Sequence, residues 1–318
     1  MTGMTTPFDR YSEAPEIPDP QSIGARSPWQ LAWARLRSDR VALLCAAIIA
    51  LITLLAIFAP LIARIVGHGP NDQHLQTGLT PEGLPRGPSS TFPLGTDDLG
   101  RDVFVRIVYA ARISLLAGVV ASTVAVVVGV VVGLFAGYVG GVTDSVISRT
   151  MDVILAFPFL LFGIALVSIV GPSLGVVIGV IAFFSFASVG RIVRGQTLSQ
   201  KEKEYVEAAR SLGASDLRIM FIDILPNLMA PVLVYLTLLI PSAIVFEATL
   251  SFLGLGVVPP TATWGNMLAE SLGFYQVAWW FVVFPASALL ITTLAFNLLG
   301  DSVRDALDPR GEHLFMKQ

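Results

Sequence analysis

Side chains able to do chemistry are few in this chain, and most of them lie outside its apolar blocks. The three histidines, His68, His74 and His313, fall outside every long apolar run, so no histidine metal site is expected within a membrane span. The single Cys45 lies inside the first apolar run; it excludes a disulfide framework and reads as a small buried hydrophobe. No HExxH, G-x-S-x-G or G-x-x-x-x-G-K-[ST] string occurs, so the sequence encodes no zinc-hydrolase helix, nucleophile elbow or nucleotide-binding loop of those kinds. Cofactors are therefore not expected in this chain, and any uphill work has to be supplied by another one.

Three groups of polar residues remain. Asp97, Asp98, Arg101 and Asp102 crowd the end of a Gly/Pro-rich segment, followed by Arg106. Asp102 and Arg106 are spaced i,i+4 with the acid first, the favourable order for a helical ion pair. Glu247 stands near the end of an apolar run. An acid there is a functional candidate by default, but it lies a few residues before "SFLGLG", where backbone and water can satisfy it, and a structural role is expected. The third group is the stretch "EAARSLGASDLRIMFIDILP", Glu207 to Pro226.

The elements that must position these groups follow from composition. Of 318 residues, 54% are hydrophobic and only 14% charged, with a net charge of −3 and a mean hydropathy of +0.74. Soluble domains carry about 25% charged residues, so the chain is built for lipid, and nothing in its charge suggests nucleic acid. A bilayer core needs about 20 apolar residues per helix. Runs of that kind predict an all-α membrane protein with six transmembrane helices over 41–66, 113–138, 151–171, 174–193, 228–249 and 278–299. The first run is too long for a cleaved signal peptide and reads as a signal anchor.

Residues 1–40 read as a cytoplasmic tail, rich in Pro, Ser and acids over 1–28 and closing on an interfacial helix at 29–40. Residues 67–112 form an external loop whose end, from Asp102 onward, reads as a surface helix with Val103, Ile107, Ala110 and Ala111 on its apolar side. Residues 113–300 make a five-helix core that includes a polar hairpin at 195–227, and 301–318 a second tail. With both termini cytoplasmic, fifteen Lys and Arg fall inside and five outside, as the positive-inside rule requires. Kinks are expected at Pro158, Pro241 and Pro285.

In the second span Ala117, Ala121, Ala125, Gly129, Gly133 and Gly137 recur at every fourth position, one continuous groove that lets another backbone approach, in this chain or a second one. In the hairpin, Leu198 to Leu212 favours a helix with Tyr205, Ala208, Ala209 and Leu212 on its apolar stripe. Gly213 suits a left-handed C′ position; Ser215 can cap a second short helix, with Asp216 at its positive end and Pro226 as its stop. From the residues alone this hairpin is either a loop lying on the membrane or a docking element for a soluble partner.

Glu207-Ala208-Ala209, then Gly213, then Leu225-Pro226 resembles the EAA signature of bacterial ABC importer permeases. Asp223 departs from it, standing where that family usually has an aliphatic residue. "PLGTDDLGRDVFVRIVYAARISL" (93–115), "MDVILAFP" (151–158) and "SFLGLGVVPPTATWGNML" (251–268) are similar to the C-type permease subunit of dipeptide/oligopeptide importers, a resemblance covering about residues 30 to 310. It implies a type I permease fold in the cytoplasmic membrane and a coupling helix formed by Glu207, Ala208, Ala209, Gly213, Ser215, Asp216, Leu225 and Pro226. It also implies a paralogous B-type permease, two ATP-binding subunits or domains that carry ATP and Mg, and an external solute-binding (lipo)protein. The implied substrate is a di- or oligopeptide, with a nickel chelate or glutathione as alternatives. A secondary carrier or channel is the reading of a different class.

Overall fold

The computed structural model describes residues 28–307; residues 1–27 of the expected N-terminal tail and 308–318 of the C-terminal one lie outside them. The first helix, α1 (Pro28–Ser38), stacks the Arg37 guanidinium on Trp33 at 4.9 Å. Asp39 then caps α2 (Arg40–Ile57), accepting from the Val41 N–H at 2.8 Å and from the Ser302 hydroxyl at 2.6 Å. The expected single span over 41–66 is broken at Phe58. A separate α3 (Ala59–Val66) follows, with Pro60 in its first turn, where proline's missing donor costs nothing.

Residues 67–102 are irregular, and α4 (Val103–Val139) then runs 37 residues without interruption. At 1.5 Å per residue it is roughly 55 Å long, well beyond the ~30 Å apolar core of a bilayer. The expected surface helix and second span are thus one rod.

The expected span over 151–171 is two helices, α5 (Gly141–Ala156) and α6 (Phe159–Val170), bent by 85°. Pro158 forces the residue before it out of the helical region, and Phe157 sits at φ −78°, ψ 135°. Among the described residues, five helices are long and apolar enough to cross a membrane, or six spans if the bent pair counts as one. The others are α7 (Leu174–Gln200), α10 (Leu225–Phe252) with the segment leading into it, and α12 (Trp279–Leu307). Pro241 and Pro285 lie inside continuous helices. The remaining helices are the short α8 (Glu204–Ser211), α9 (Asp216–Arg218) and α11 (Trp264–Ser271).

The core is built on α4 against α7. A Cβ added to Gly129 would lie 2.7 Å from Val189 Cβ and 2.8 Å from the Phe186 carbonyl; at Gly137 it would lie 2.8 Å from Thr197 Cβ. Ala117, Ala121 and Ala125 are fully buried on the same stripe. The close neighbour of the Gly groove is therefore α7 of this chain, and backbone contact replaces large side chains along it. Ion pairs of Arg194 with Asp144 and of Arg191 with Asp152 hold α7 to α5 at one end. At the other, fully buried Glu247 accepts hydrogen bonds from Ser114 of α4 at 2.8 Å and Ser251 at 2.7 Å. The outer wall is apolar, with Leu44, Ile57, Val127 and Leu290 exposed as a lipid-facing surface requires.

Candidate functional site

The polar hairpin grows directly out of the membrane core. α7 takes up Leu198–Gln200, so α8 begins only at Glu204, later than expected. Its inward face also differs from the expected stripe: Val206 is fully buried and Ala209 half-buried, whereas Leu212 is 89% exposed. Leu212 is the C-cap of α8 and points away from the body. Val206 joins Ile219, Met220, Ile224 and Leu228 in one cluster with Val189 and Val193 of α7, which anchors the hairpin to that helix.

Gly213 adopts φ +79°. Its N–H donates to the Arg210 carbonyl at 2.9 Å, and the Ala214 N–H donates to the Ala209 carbonyl at 3.0 Å, the paired bonds of a Schellman cap. Ser215 occupies the next N-cap position but its hydroxyl makes no capping bond, contrary to expectation. Three residues of α9 pass at once into a π-helical turn, Ile219–Ile224, and on into α10. Pro226 therefore stops nothing. The Leu225 N–H reaches back five residues to the Met220 carbonyl, and the widened turn delivers the chain to Pro226, which has no donor to place.

Asp216 is exposed and accepts from the Tyr138 hydroxyl at 2.7 Å, while the Arg210 guanidinium lies over the same tyrosine ring at 5.4 Å. Tyr138, at the end of α4, thus ties both arms of the hairpin to the membrane core. Sequence reading did not single it out; its one signal is its place directly after Gly137, at the end of the small-residue stripe. Half-buried Asp223 has one carboxylate oxygen without a hydrogen-bond partner among the described residues. The outward surface combines exposed Glu207, Ala208 and Arg218 with an apolar ridge of Leu212, Leu217, Phe221 and Ile222. Leu225 is half-buried beneath it and Pro226 exposed.

At the opposite end, the acidic run is an internal lock and not an open face. Asp97, Arg101 and Asp102 are all buried. Arg101 donates to Asp97 at 2.6 Å and to Glu270 of α11 at 2.9 Å, and approaches Asp98 at 3.4 Å. Fully buried Arg106 donates to the same Glu270 oxygen at 2.9 Å and lies 3.2 Å from Asp97. The expected Asp102–Arg106 pair does not form. Asp102 caps α4, accepting from Phe104 N at 2.8 Å and Val105 N at 3.3 Å, and its other oxygen shares a hydrogen bond with His68 at 2.8 Å. An N-cap carboxylate is held behind the start of its helix, which leaves Arg106 free to find α11.

Burial pushes the Glu270 carboxyl above its ordinary value of 4.5 against the pull of Arg106 and Arg101. Asp98 moves the same way, through burial and then the negative charge of Asp97. A carboxyl that binds its proton more tightly folded than unfolded favours the fold at low pH, and that contribution fades as pH climbs through the folded pKa. The melting temperature of the assembled protein is therefore expected to fall as pH climbs above the ordinary carboxylate range, and Glu270→Gln to flatten part of the slope. Equal slopes in the two proteins would refute this.

Apolar spans, a polar hairpin fixed to their core and ion pairs that serve packing define a multi-span helical membrane protein. The chain belongs to the family of binding-protein-dependent transport system inner membrane components, which it matches over residues 129–313. Residues 27–81 match the N-terminal TM domain of oligopeptide transport permease C. The chain is 42% identical over 297 residues to the dipeptide transport system permease protein DppC of Alkalihalophilus pseudofirmus, covering 93% of this chain and 95% of the relative. It is 42% identical over 291 residues to that of Haemophilus influenzae (92% and 98%). It is 45% identical over 285 residues to the glutathione transport system permease protein GsiD of Shigella flexneri (90% and 91%). It is a non-catalytic, multi-pass inner-membrane permease of the ABC class that works with other components of its transport system.

Proposed function

We propose that this chain forms one half of the membrane path of an ATP-driven importer of di- and oligopeptides, the other half being a paralogous B-type permease. The observation that carries the reading is the capped hairpin at 204–226, whose base is sealed into the core while Leu212, Leu217, Phe221 and Ile222 stand exposed. Of the two ATP-binding subunits or domains that hold ATP and Mg, one docks there. Glu207, Ala208, Ala209, Gly213, Ser215, Asp216, Leu225 and Pro226 form the docking element, and Tyr138 passes its movement to α4. Closure of the ATPases on ATP pushes the hairpin, the spans switch from inward- to outward-facing, and hydrolysis resets them. An external solute-binding (lipo)protein delivers the peptide, and both termini of this chain lie in the cytoplasm. A secondary carrier is disfavoured because Glu247 is already satisfied by two serine hydroxyls and begins no carboxylate relay.

Similarity to a glutathione permease keeps glutathione, itself a small peptide, as the second substrate reading. The test is to identify what co-purifies in the pocket of the cognate binding protein and to measure uptake with the ATPases deleted. A peptide in the pocket and no uptake are expected. A nickel chelate would overturn the substrate, and residual concentrative uptake would overturn the ATP-driven mechanism.

A further inference from the structure

Two clefts meet at one side chain on the loop side of the membrane. The upper, about 350 Å3, is lined by Asn71, Tyr109, Arg112, Leu116 and Thr261 among others. The lower, about 270 Å3, lies between α2 and α4 and is lined by Thr53, Ala56, Ile57, Arg112, Leu115 and Leu116. Arg112 and Leu116 belong to both.

The Arg112 guanidinium lies 5.9 Å from the centre of the Tyr109 ring and pairs with no carboxylate among the described residues. The acids on this side have other partners: Asp97, Asp98 and Glu270 hold Arg101 and Arg106, Asp102 holds His68 and the start of α4, Asp72 accepts from the Gly69 N–H, and Glu82 bonds with Thr80. Arg112 therefore brings a positive charge without a counter-ion to the rim of an apolar wall on which Ile57 and Leu116 are exposed. Thr53 to Ile57 form the last turn of α2, so the lower cleft lies at the loop-side end of that helix. Arg112 is itself exposed at this rim, open to an anion from outside the chain. A soluble anion would satisfy Arg112 but leave the apolar lower cleft unused. An amphiphile fills both.

We propose that the double cleft binds one anionic phospholipid of the leaflet on the loop side. Its phosphate sits on Arg112, supported by the hydroxyl of Thr261, and one acyl chain runs down the groove between α2 and α4. The lipid would act as a wedge that seats the N-terminal span against the core. The inference depends on the spans and not on the substrate transported.

The experiment uses the complete transporter, delipidated in detergent and titrated with phosphatidylglycerol, with bound lipid counted by native mass spectrometry and stability read by thermal melting. One retained lipid and an upward melting shift are expected for the wild type. Arg112→Gln should cut retention at least about fivefold. Leu116→Trp, which keeps the charge and fills the groove, should do the same, so misfolding of one variant does not hide the result. Arg64→Gln, on exposed α3 and in neither cleft, should retain lipid normally. Wild-type retention in both cleft variants, or equal loss in Arg64→Gln, would overturn the site. Stabilisation by inorganic phosphate or by the transported peptide, with no response to lipid, would overturn the phospholipid in favour of an aqueous anion.

Discussion

Gly133→Val is expected to prevent assembly of this permease, while Gly179→Ala on α7 leaves it intact. A Cβ on Gly133 would lie 2.9 Å from Val193 Cβ and 3.0 Å from the Arg194 amide nitrogen, with the Gly190 carbonyl closer still. Two of those three neighbours are backbone, so no rotamer change relieves the conflict; α4 and α7 have to part. Overfilling a packed core costs about 1–3 kcal/mol even where side chains can yield, and here they cannot. Separation would also pull Val189 and Val193 out of the cluster that anchors the hairpin, so the damage extends from the spans to the hairpin. Gly179 is exposed, with nothing within 4 Å of an added Cβ, and alanine is the better helix former. Membrane yield and the melting temperature of the purified complex read both variants. Wild-type yield and melting for Gly133→Val would show that the two helices are not held by backbone contact.

The same helices show what a sequence makes legible. Ala and Gly at every fourth residue announce a close approach, because only small side chains allow it, but the partner had to come from the fold: α7 carries no matching stripe, only the shape complementary to it. Apolar runs gave the spans, since length and hydropathy are local properties. The break at Phe58 was hidden because Pro60 sits in a first helical turn, where proline fits. The sharp bend at Pro158 was legible as a kink but not as two helices, because the bend angle depends on what each half packs against.

Electrostatic partners were misread where one residue had two local uses. Asp102 satisfies the spacing rule for Arg106 and also the requirement of an N-cap, and the cap wins because it answers otherwise orphaned backbone donors. Arg106 then pairs with a residue 164 positions away, which no local pattern encodes. The π turn before Pro226 was equally invisible, since it arises from fitting a proline into a helix whose neighbours Ile219, Met220 and Ile224 must all face the core. In the hairpin, the Gly213 corner could be read from residues, whereas its inward face and the passage through Pro226 could not, the proposed partner came only from resemblance, and Tyr138 emerged only with both arms in place.

That hairpin sets the second large expected effect. Gly213→Val should assemble normally yet transport at least about tenfold more slowly, and Gly213→Asn should recover much of the loss. Nothing lies within 4 Å of a Cβ added at Gly213, so contact plays no part; the left-handed backbone at φ +79° does. Holding a β-branched residue there costs about 1–2 kcal/mol, close to the 1.4 kcal/mol that changes an equilibrium tenfold. The cheaper course is to lose the paired cap bonds to Ala209 and Arg210 and swing the corner, displacing Leu212 and Leu217 from the ridge. Folding is spared because Val206, Ile219 and Ile224 remain buried. Asparagine tolerates the left-handed region, so its rescue separates backbone geometry from side-chain size. Uptake into proteoliposomes, alongside ATP hydrolysis by the same complexes, should rank glycine above asparagine, alanine and then valine, with hydrolysis persisting where uptake fails. Wild-type uptake by an assembled Gly213→Val complex would remove the corner from the coupling path.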